Sequence, residues 1–308
     1  MLNVVTGSFG YIGRYITRHL LDQGEQVRTV TTHPNKTNPF GEQVEAFPYA
    51  FDRPEQLVET LRGATTLYNT YWIRFEHGGK TFKEAVDNTA VLFNSAKQAG
   101  IQKIVHISVT QASLDSSLPY YRGKAQQEKL VKETGLDYCI IRPTLVFGKE
   151  DILVNNIAWL LRKFPVFPIF GDGNYTVQPI FVGDLAQIAS ECANSSGQKV
   201  IDAIGPDEFT YEELVTLLAS QIKPDVKLIH IPPALGIALG KIIGFTVGDV
   251  ILTMDEARGL MSSLLTSSQK PDGTTHFSEW LAPNKEVIGQ RYTSELNRHF
   301  NWRPTSIN

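Results

Sequence analysis

The sequence has few cysteines, little net charge and no uninterrupted apolar run long enough to span a membrane. Its 308 residues include only Cys139 and Cys192, too few for a disulfide framework or a zinc site. Cys139 lies in a strand-like run and Cys192 in a helix-like one, so both are predicted to be core residues. A reducing, cytoplasmic setting is expected. The first predicted strand begins at residue 2, so no signal peptide is expected.

The overall charge gives no reason to expect nucleic acid or an anionic membrane as a partner, because the net charge is −3. The most apolar stretch, Pro233 to Leu252, is interrupted by Lys241 and Asp249. A membrane span needs about 20 mostly apolar residues. We therefore predict no membrane span there, but a packed helix and loop of a second domain, with membrane contact as the lesser alternative.

A glycine-rich turn lies between a predicted strand and a predicted helix near the start of the chain. The stretch Thr6-Gly7-Ser8-Phe9-Gly10-Tyr11-Ile12-Gly13 follows the apolar run 2–5 and opens a segment with apolar residues at helical spacing. A dinucleotide-binding turn requires this order of strand, glycine turn and helix. Glycines alone are weak evidence because ordinary turns also use them, but in this context they predict nucleotide binding.

The three glycines of this turn have different expected roles. Gly7 permits the tight turn, and Gly10 lets the backbone approach a pyrophosphate. Gly13 lets the helix pack close to the sheet. The N-terminus of the helix then offers unpaired N–H groups and a partial positive charge to the phosphates.

Predicted strands and helices alternate through the first half of the chain. Strands are expected at 2–5, 26–31, 44–50, 65–70, 104–108 and 138–141, with helices up to about Gly24 and at 54–63, 81–100 and 120–134. Strands separated by helices of this length favour a parallel sheet with right-handed crossovers. The predicted fold class is α/β, a Rossmann-type doubly wound parallel sheet with a smaller C-terminal substrate domain.

The pattern changes after Gly148. A turn is predicted at 171–174, followed by a helix at 184–193 with Asp184 as N-cap and a strand at 199–203 that returns to the main sheet. A helix is predicted at 210–222, where Thr210 and Glu213 form a capping box. A terminal helix with Tyr292, Leu296 and Phe300 on one face is expected to stop at Pro304. We expect a nucleotide domain of residues 1–148 with 178–206 returning to it. Residues 149–177 and 207–308 are expected to form the substrate domain.

Tyr120 and Lys124 are the main candidates for acid–base chemistry. They lie four residues apart at the start of a predicted helix, and therefore on one face of it. A tyrosine has a reference pKa of about 10, and bringing it to about 7 requires roughly 4 kcal/mol of stabilisation of the phenolate. A neighbouring ammonium group can supply part of that free energy. A chance pair is the alternative, but this pair follows the fifth predicted strand of a nucleotide fold.

Two hydroxyl groups follow the fifth predicted strand. Ser108 and Thr110 point the same way if the strand continues, and either could hydrogen-bond a substrate oxygen opposite the tyrosine. Alternatively, each of the two could be a capping or turn residue.

Taken in order, these motifs resemble the short-chain dehydrogenase/reductase superfamily in its extended and atypical branches. Within it the chain is most similar to the nucleoside-diphosphate-sugar epimerase-like, complex I 39-kDa-subunit-like and NmrA-like groups. The resemblance rests on the glycine turn at 7–13, Asp52, Asn88, Tyr120 with Lys124, Arg142-Pro143 with Gly148, Gly171-Asp172-Gly173, and the stretch from Phe181 to Ala186. These motifs specify the superfamily better than any one reaction.

The resemblance implies roles for the matching residues. Tyr120 would donate or accept the proton, and Lys124 would support it and hold a ribose hydroxyl of the cofactor. The turn residues Phe9, Tyr11 and Ile12 would also contact the cofactor. Phe51 would contact the adenine ring and Asp52 the adenine amine, while Asn69 and Thr70 would lie under the adenosine ribose. Pro143 and Leu145 would lie against the nicotinamide. From the residues alone, Asp52 is equally well a helix cap before Pro54.

The sequence departs from the superfamily pattern in two places. The catalytic hydroxyl is usually a serine, and the matching position is Thr110, with Ser108 two residues earlier. The second predicted strand ends at Thr31-Thr32-His33, without the acidic residue that holds the ribose of NAD. Thr32, His33, Lys36 and Arg14 are therefore candidates to hold a 2′-phosphate, and NADP is slightly favoured over NAD.

Two functions follow as hypotheses. The first is an NAD(P)-dependent oxidoreductase, or an epimerase or dehydratase with the same parts, acting on a small carbonyl or alcohol substrate between the two domains. Candidates to line that site are Tyr71, Trp72, Phe75, Tyr121, Phe147, Arg74 and Gln178. The second is a cofactor-binding sensor or assembly protein without turnover. The resemblance also implies a homodimer through the helices at 81–100 and 120–134.

Overall fold

The structure is a computed structural model that describes residues 1–300. Strands and helices alternate in the first part of the chain as β1 (Leu2–Thr6), α1 (Tyr11–Asp22), β2 (Gln26–Thr31), β3 (Val44–Pro48), α2 (Pro54–Leu61), β4 (Thr66–Asn69), α3 (Phe82–Ala99), β5 (Lys103–Ile107), α4 (Pro119–Glu133) and β6 (Asp137–Pro143). The later elements are β7 (Leu145–Phe147), α5 (Leu153–Lys163), β8 (Val166–Phe170), β9 (Thr176–Val177), β10 (Pro179–Phe181), α6 (Val182–Asn194), β11 (Gln198–Ala203), β12 (Phe209–Thr210), α7 (Tyr211–Ile222), β13 (Lys227–Ile231), α8 (Pro233–Val247), α9 (Met254–Met261), α10 (Phe277–Asn284) and α11 (Glu295–His299).

The chain divides into two compact units. Unit 1 comprises residues 1–143 and 185–202, and unit 2 comprises 144–184 together with the chain from 203 onward. Unit 1 holds a seven-stranded sheet of order β11-β6-β5-β4-β1-β2-β3. The pairs from β6 to β3 are all parallel, which confirms the Rossmann-type α/β fold. The strand order reverses beside β1, and in such sheets the crevice at the reversal binds ligands.

Local signals determine where several helices begin and end. The Thr81 side chain accepts a hydrogen bond from the Glu84 N–H at the start of α3, and Gly100, with φ of 85°, ends that helix. Both halves of the predicted capping box at Thr210 and Glu213 are present in α7. The predicted return of a strand to the main sheet is confirmed, because β11 lies beside β6.

As far as residue 300, unit 2 has its own core and three two-stranded sheets, β7 with β10, β9 with β12 and β8 with β13. Phe147 is fully buried there, with its ring centroid 5.0 Å from that of Phe277 and 5.1 Å from that of Trp280. Phe147 is therefore a core residue, and its predicted place in a substrate-site lining is wrong.

Three expectations for the later elements need correction. Asp184 is not the N-cap of its helix but the third residue of α6, and its carboxylate accepts from the N–H groups of Thr274 and Thr275 at 2.8 Å. The terminal helix α11 is only five residues long and excludes Tyr292, while Pro304 lies outside the described residues. The stretch after Pro233 does form a helix, but one face of it is exposed rather than packed. No helix within residues 1–300 is both long enough and apolar enough to cross a membrane.

Candidate cofactor and active site

The turn between β1 and α1 has the backbone geometry of a phosphate cradle. Gly7 has φ of 67°, its N–H donates to the Val30 carbonyl at 2.8 Å, and the Gly10 N–H donates to the Gly7 carbonyl at 2.8 Å. A Cβ atom on Gly10 would lie 3.1 Å from the Gly7 oxygen. The first turn of α1 carries no acidic residue. The partial positive charge of this helix N-terminus is therefore not opposed by a carboxylate in its first turn, which favours an anionic pyrophosphate there.

Gly13 is the most restrictive of the three glycines. A Cβ atom there would lie 2.4 Å from the Gly7 oxygen and 3.0 Å from the Thr6 oxygen. We predict that Gly13→Ala weakens NAD(P)H binding at least about tenfold and lowers the free energy of unfolding by about 1–3 kcal/mol, because α1 must move away from the turn. Fluorescence titration and chemical denaturation measure the two effects.

Gly240→Ala is the matched control for that substitution. Gly240 lies inside α8, and a Cβ atom there meets no other atom within 4 Å. This variant should keep cofactor affinity unchanged and gain about 0.5–1 kcal/mol of stability. Equal cofactor affinity in Gly13→Ala and wild type would contradict the assigned role of Gly13.

Buried hydroxyl groups hold the glycine turn on the sheet. The Thr29 hydroxyl accepts from the Ser8 N–H at 3.1 Å and donates to the Val5 carbonyl at 2.7 Å. The Thr17 hydroxyl lies 2.7 Å from that of Ser8. Sequence reasoning missed this support because Thr29 reads only as a β-branched strand residue.

The carboxyl end of β4 carries the two residues predicted under the adenosine ribose. Asn69 is fully buried; its side-chain oxygen accepts from the Tyr71 N–H at 3.2 Å, and its nitrogen lies 3.0 Å from His106 Nδ1. Burial, with a contribution from Lys124, holds the pKa of His106 well below its usual value, so the imidazole is neutral. Thr70 is half-buried and its N–H donates to the Thr6 hydroxyl at 2.7 Å. Of the two predicted ribose residues, only Thr70 therefore presents accessible surface.

An aromatic cluster adjoins the glycine turn. The rings of Tyr49 and Phe51 stack with centroids 4.8 Å apart, and the Tyr71 ring lies 4.9 and 5.2 Å from them. A Cβ atom on Gly7 would lie 4.0 Å from the Tyr49 hydroxyl, which places the cluster next to the turn. This position suits the adenine contact predicted for Phe51.

Asp52 follows that cluster with its side chain 80% exposed, 3.5 Å from the Arg53 guanidinium. The N-cap of α2 is Arg53, without a side-chain hydrogen bond. The alternative of Asp52 as a helix cap is therefore wrong, and the adenine contact stays a prediction.

The segment after β2 carries positive charge from two parts of the chain. Thr32 is exposed, and the His33 N–H donates to the Thr31 hydroxyl at 3.3 Å. Partial burial, Lys36 and Lys80 together lower the pKa of His33, which places both ammonium groups in its surroundings. Lys80 could not be found from the sequence, because it lies in a separate turn before α3. Arg14, the fourth candidate, donates to the Phe9 carbonyl at 3.2 Å.

Lys124 is buried in α4 beside the end of β5. Its side chain is 4% exposed, and Nζ donates to the Ile107 carbonyl at 2.9 Å. Burial lowers the pKa of Lys124 to about 7, against a smaller opposing effect of Glu128. A cation so deeply buried is costly unless a ligand or a negative charge forms beside it.

The Trp72 indole covers Lys124 and flanks Tyr120. The centroid of the indole lies 5.0 Å from Lys124 Nζ and 6.0 Å from the centroid of the half-buried Tyr120 ring. The indole stacks on Phe82 at 5.4 Å and lies over Gly123, where a Cβ atom would be 2.5 Å from it. Its N–H is buried and has no hydrogen-bond partner among the described residues. Tyr120 and Lys124 therefore share a largely aromatic wall.

Ser108 belongs to a buried charged network. Its hydroxyl donates to Glu128 at 2.6 Å, and the Arg142 guanidinium donates to both oxygens of that carboxylate at 2.8 and 2.6 Å. The hydroxyl proton of Ser108 is therefore already donated to the buried Glu128 carboxylate. The Thr110 N–H donates to the Pro143 carbonyl at 3.1 Å, and the buried Thr110 side chain lies at the same strand exit.

The other predicted lining residues differ in environment. In unit 1, Phe75 and Tyr121 are buried, and the Arg74 guanidinium lies 5.6 Å from the centroid of the Phe75 ring. In unit 2, Gln178 is buried and its side-chain oxygen accepts from the Ser267 N–H at 2.8 Å. Leu145 begins β7 in that unit and is also buried.

Comparison with known proteins agrees with this geometry. The sequence model of a family described as NAD(P)H-binding matches residues 7–153. The mitochondrial NADH dehydrogenase (ubiquinone) 1 alpha subcomplex subunit 9 of Arabidopsis thaliana is 25% identical over 282 residues, which cover 85% of this chain and 70% of that protein. Photosystem II assembly factor Ycf39 of Cyanophora paradoxa is 29% identical over 140 residues, 45% of this chain and 44% of that one.

Among solved structures, the NADPH-dependent quinone oxidoreductase QOR2 of Escherichia coli, complexed with NADPH, superposes with a TM-score of 0.74. It is 21% identical, and the match covers 93% of this chain and 99% of that one. At this identity the likeness establishes the fold alone. These matches agree with the predicted resemblance to the short-chain dehydrogenase/reductase superfamily, and the match to the NAD(P)H-binding family spans just under half of the chain.

Proposed function

We propose that the protein is an NAD(P)H-dependent reductase of carbonyl compounds. The observation that carries this proposal is the buried Lys124 one helical turn from Tyr120, both at the carboxyl edge of a nucleotide-binding sheet. The balanced reaction is carbonyl compound plus NAD(P)H plus a proton, giving alcohol and NAD(P)⁺. Bound NAD(P)H would supply the hydride.

The protein's own residues would move the proton. The Tyr120 phenol would donate to the carbonyl oxygen as the carbonyl carbon is reduced. Lys124, held at the Ile107 carbonyl, would stabilise the phenolate that forms. The rings of Trp72 and Phe82 would exclude water and so strengthen that interaction. The same parts would serve an epimerase or dehydratase, in which the hydride is returned.

The aromatic wall favours an apolar, ring-bearing carbonyl compound over a sugar nucleotide. A diphosphate needs exposed cations, whereas Lys124 is buried and the Arg122 guanidinium donates to the Ser116 carbonyl at 2.7 Å. The quinone oxidoreductase of similar fold supports this substrate class. Quinones, aryl aldehydes and keto-sugar nucleotides should therefore be compared as hydride acceptors by the loss of NADPH absorbance. Turnover with sugar nucleotides alone would contradict this class.

NADPH is the proposed form of the cofactor. The three groups that would face its 2′-phosphate are His33, Lys36 and Lys80. We predict that the double substitution Lys36→Gln/Lys80→Gln weakens NADPH binding about tenfold or more and leaves NADH binding within about twofold. Calorimetric titration with each cofactor measures both values.

Lys83→Gln is the control, because Lys83 is exposed on α3 and pairs with Asp87 at 2.6 Å. This variant should bind both cofactors as the wild type does. An equal loss for NADH and NADPH in the double variant would mean that the two lysines do not read the 2′-phosphate.

A cofactor-binding assembly protein without turnover is the second candidate function. The matches to a complex I subunit and a photosystem II assembly factor favour it. It predicts tight NAD(P)H binding with no oxidation of the cofactor by any carbonyl compound. The buried free thiols of Cys139 and Cys192 suit a reducing compartment such as the cytoplasm. A homodimer through α3 and α4 accompanies either function and would be visible by light scattering.

A further inference from the structure

Helix α8 of unit 2 exposes one apolar face. Leu235, Leu239, Ile242 and Phe245 are 49, 38, 64 and 90% exposed. Their spacing of four, three and three residues places them on one side of the helix. The opposite side, which carries Gly236, Ile237 and Gly244, is buried.

Close packing fixes which side of α8 faces outward. A Cβ atom on Gly236 would lie 2.0 Å from the Phe170 ring of β8, and one on Gly244 would lie 2.5 Å from the Asp249 carbonyl. Gly248, with φ of 65°, ends the helix. The Asp249 carboxylate then accepts from the Glu295 and Leu296 N–H groups at 2.7 and 3.2 Å. Only the side of α8 that carries Gly236 and Gly244 can pack this closely, so the large apolar residues on the other side face outward.

The strands next to α8 extend this apolar surface and add positive charge. Phe164, Val166 and Ile229, at or beside the paired strands β8 and β13, are 39, 37 and 45% exposed. The segments 163–170 and 227–247 contain the exposed lysines Lys163, Lys227 and Lys241, and neither contains an aspartate or a glutamate. Acidic groups border these segments: Glu212 of α7 lies 3.2 Å from His230, and the exposed Asp225 lies two residues before Lys227. The two segments themselves are therefore positively charged, on a chain whose net charge is −3.

We propose that this surface, α8 with the exposed edges of β8 and β13, docks onto an anionic lipid bilayer. With 15 residues α8 is shorter than the roughly 20 that a span requires, so it would lie in the interfacial plane with its apolar face among the acyl chains. The three lysines would meet the headgroups, each adding to the attraction. This proposal does not depend on the proposed reductase activity.

The test is co-sedimentation of the full-length protein with vesicles. We expect binding to vesicles of phosphatidylcholine with phosphatidylglycerol, weaker binding at high salt and little binding to phosphatidylcholine alone. Ile242→Glu/Phe245→Glu should reduce binding about tenfold or more, because two large apolar side chains no longer leave water. Val287→Glu is the control, since Val287 is 58% exposed elsewhere in unit 2, and it should bind as the wild type does.

A second variant tests the same contact without a charge change. Phe245→Trp should show a blue-shifted indole emission with the anionic vesicles and unchanged emission with neutral ones. Two results would overturn the proposal. One is no binding of the wild type to anionic vesicles. The other is a wild-type dimer that Ile242→Glu/Phe245→Glu converts to a monomer, because a second copy would then cover this face.

Discussion

Replacing Tyr120 with phenylalanine should lower carbonyl-dependent oxidation of NADPH by about 10²–10⁴-fold, the usual contribution of a positioned acid. NADPH affinity should stay within about twofold, because only the hydroxyl group is removed. The ring would keep its contacts with Trp72, Phe82 and Tyr121 at centroid distances of 6.0, 6.2 and 5.5 Å. A change in turnover therefore reports proton transfer rather than packing.

Tyr138→Phe is the matched control for this experiment. Tyr138 lies in β6, and its aromatic ring is buried in the core of unit 1. The control should retain turnover within a few-fold of wild type. Equal turnover in Tyr120→Phe and wild type, measured at saturating NADPH, would remove Tyr120 from the proposed mechanism.

Replacing Lys124 with methionine should make protein stability depend on pH in a defined direction. Burial lowers the pKa of Lys124 from 10.5 in the unfolded chain to about 7 in the folded protein. Between these values the unfolded chain binds the extra proton, so the free energy of unfolding of the wild type rises with pH. Lys124→Met lacks this dependence. The free energy of unfolding of Lys124→Met minus that of the wild type should be about 3 kcal/mol larger at pH 7 than at about pH 9.5.

Urea denaturation of both proteins across this pH range measures the difference. Lys132→Met is the control, because Lys132 is exposed on the same helix and should show no such trend. Stability curves of Lys124→Met and wild type that stay parallel from pH 7 to pH 9.5 would show that the Lys124 ammonium is not held in a desolvated environment. The same variant should lose turnover, since the phenolate of Tyr120 would have no cation beside it.

Features that depend on short stretches of chain could be predicted from the sequence. The glycine turn, the strand Gln26–Thr31 and the capping box at Thr210 are examples. Each is determined by residues within about one or two helical turns of one another, and the physical preference acts locally. The parallel sheet followed because alternating strands and helices leave few other arrangements.

The local environments of the candidate site could not be predicted in the same way. Trp72 lies 52 residues before Lys124, and nothing in either segment indicates that the indole covers the ammonium group. Ser108, Glu128 and Arg142 come from a strand exit, a helix and another strand, and only the fold brings them together. Aspartate is a residue type that often caps helices, but the Asp184 carboxylate accepts from the backbone N–H groups of Thr274 and Thr275, ninety residues later in the chain.

The most direct test of the proposed function is a single turnover of the protein loaded with one equivalent of NADPH. A quinone or aryl aldehyde is added, and the nicotinamide absorbance is followed with time. We expect bound NADPH to be oxidised only when a carbonyl compound is present. We also expect Tyr120→Phe, loaded to the same extent, to react far more slowly. Bound NADPH that survives every acceptor would contradict a reductase and favour the non-catalytic assembly protein.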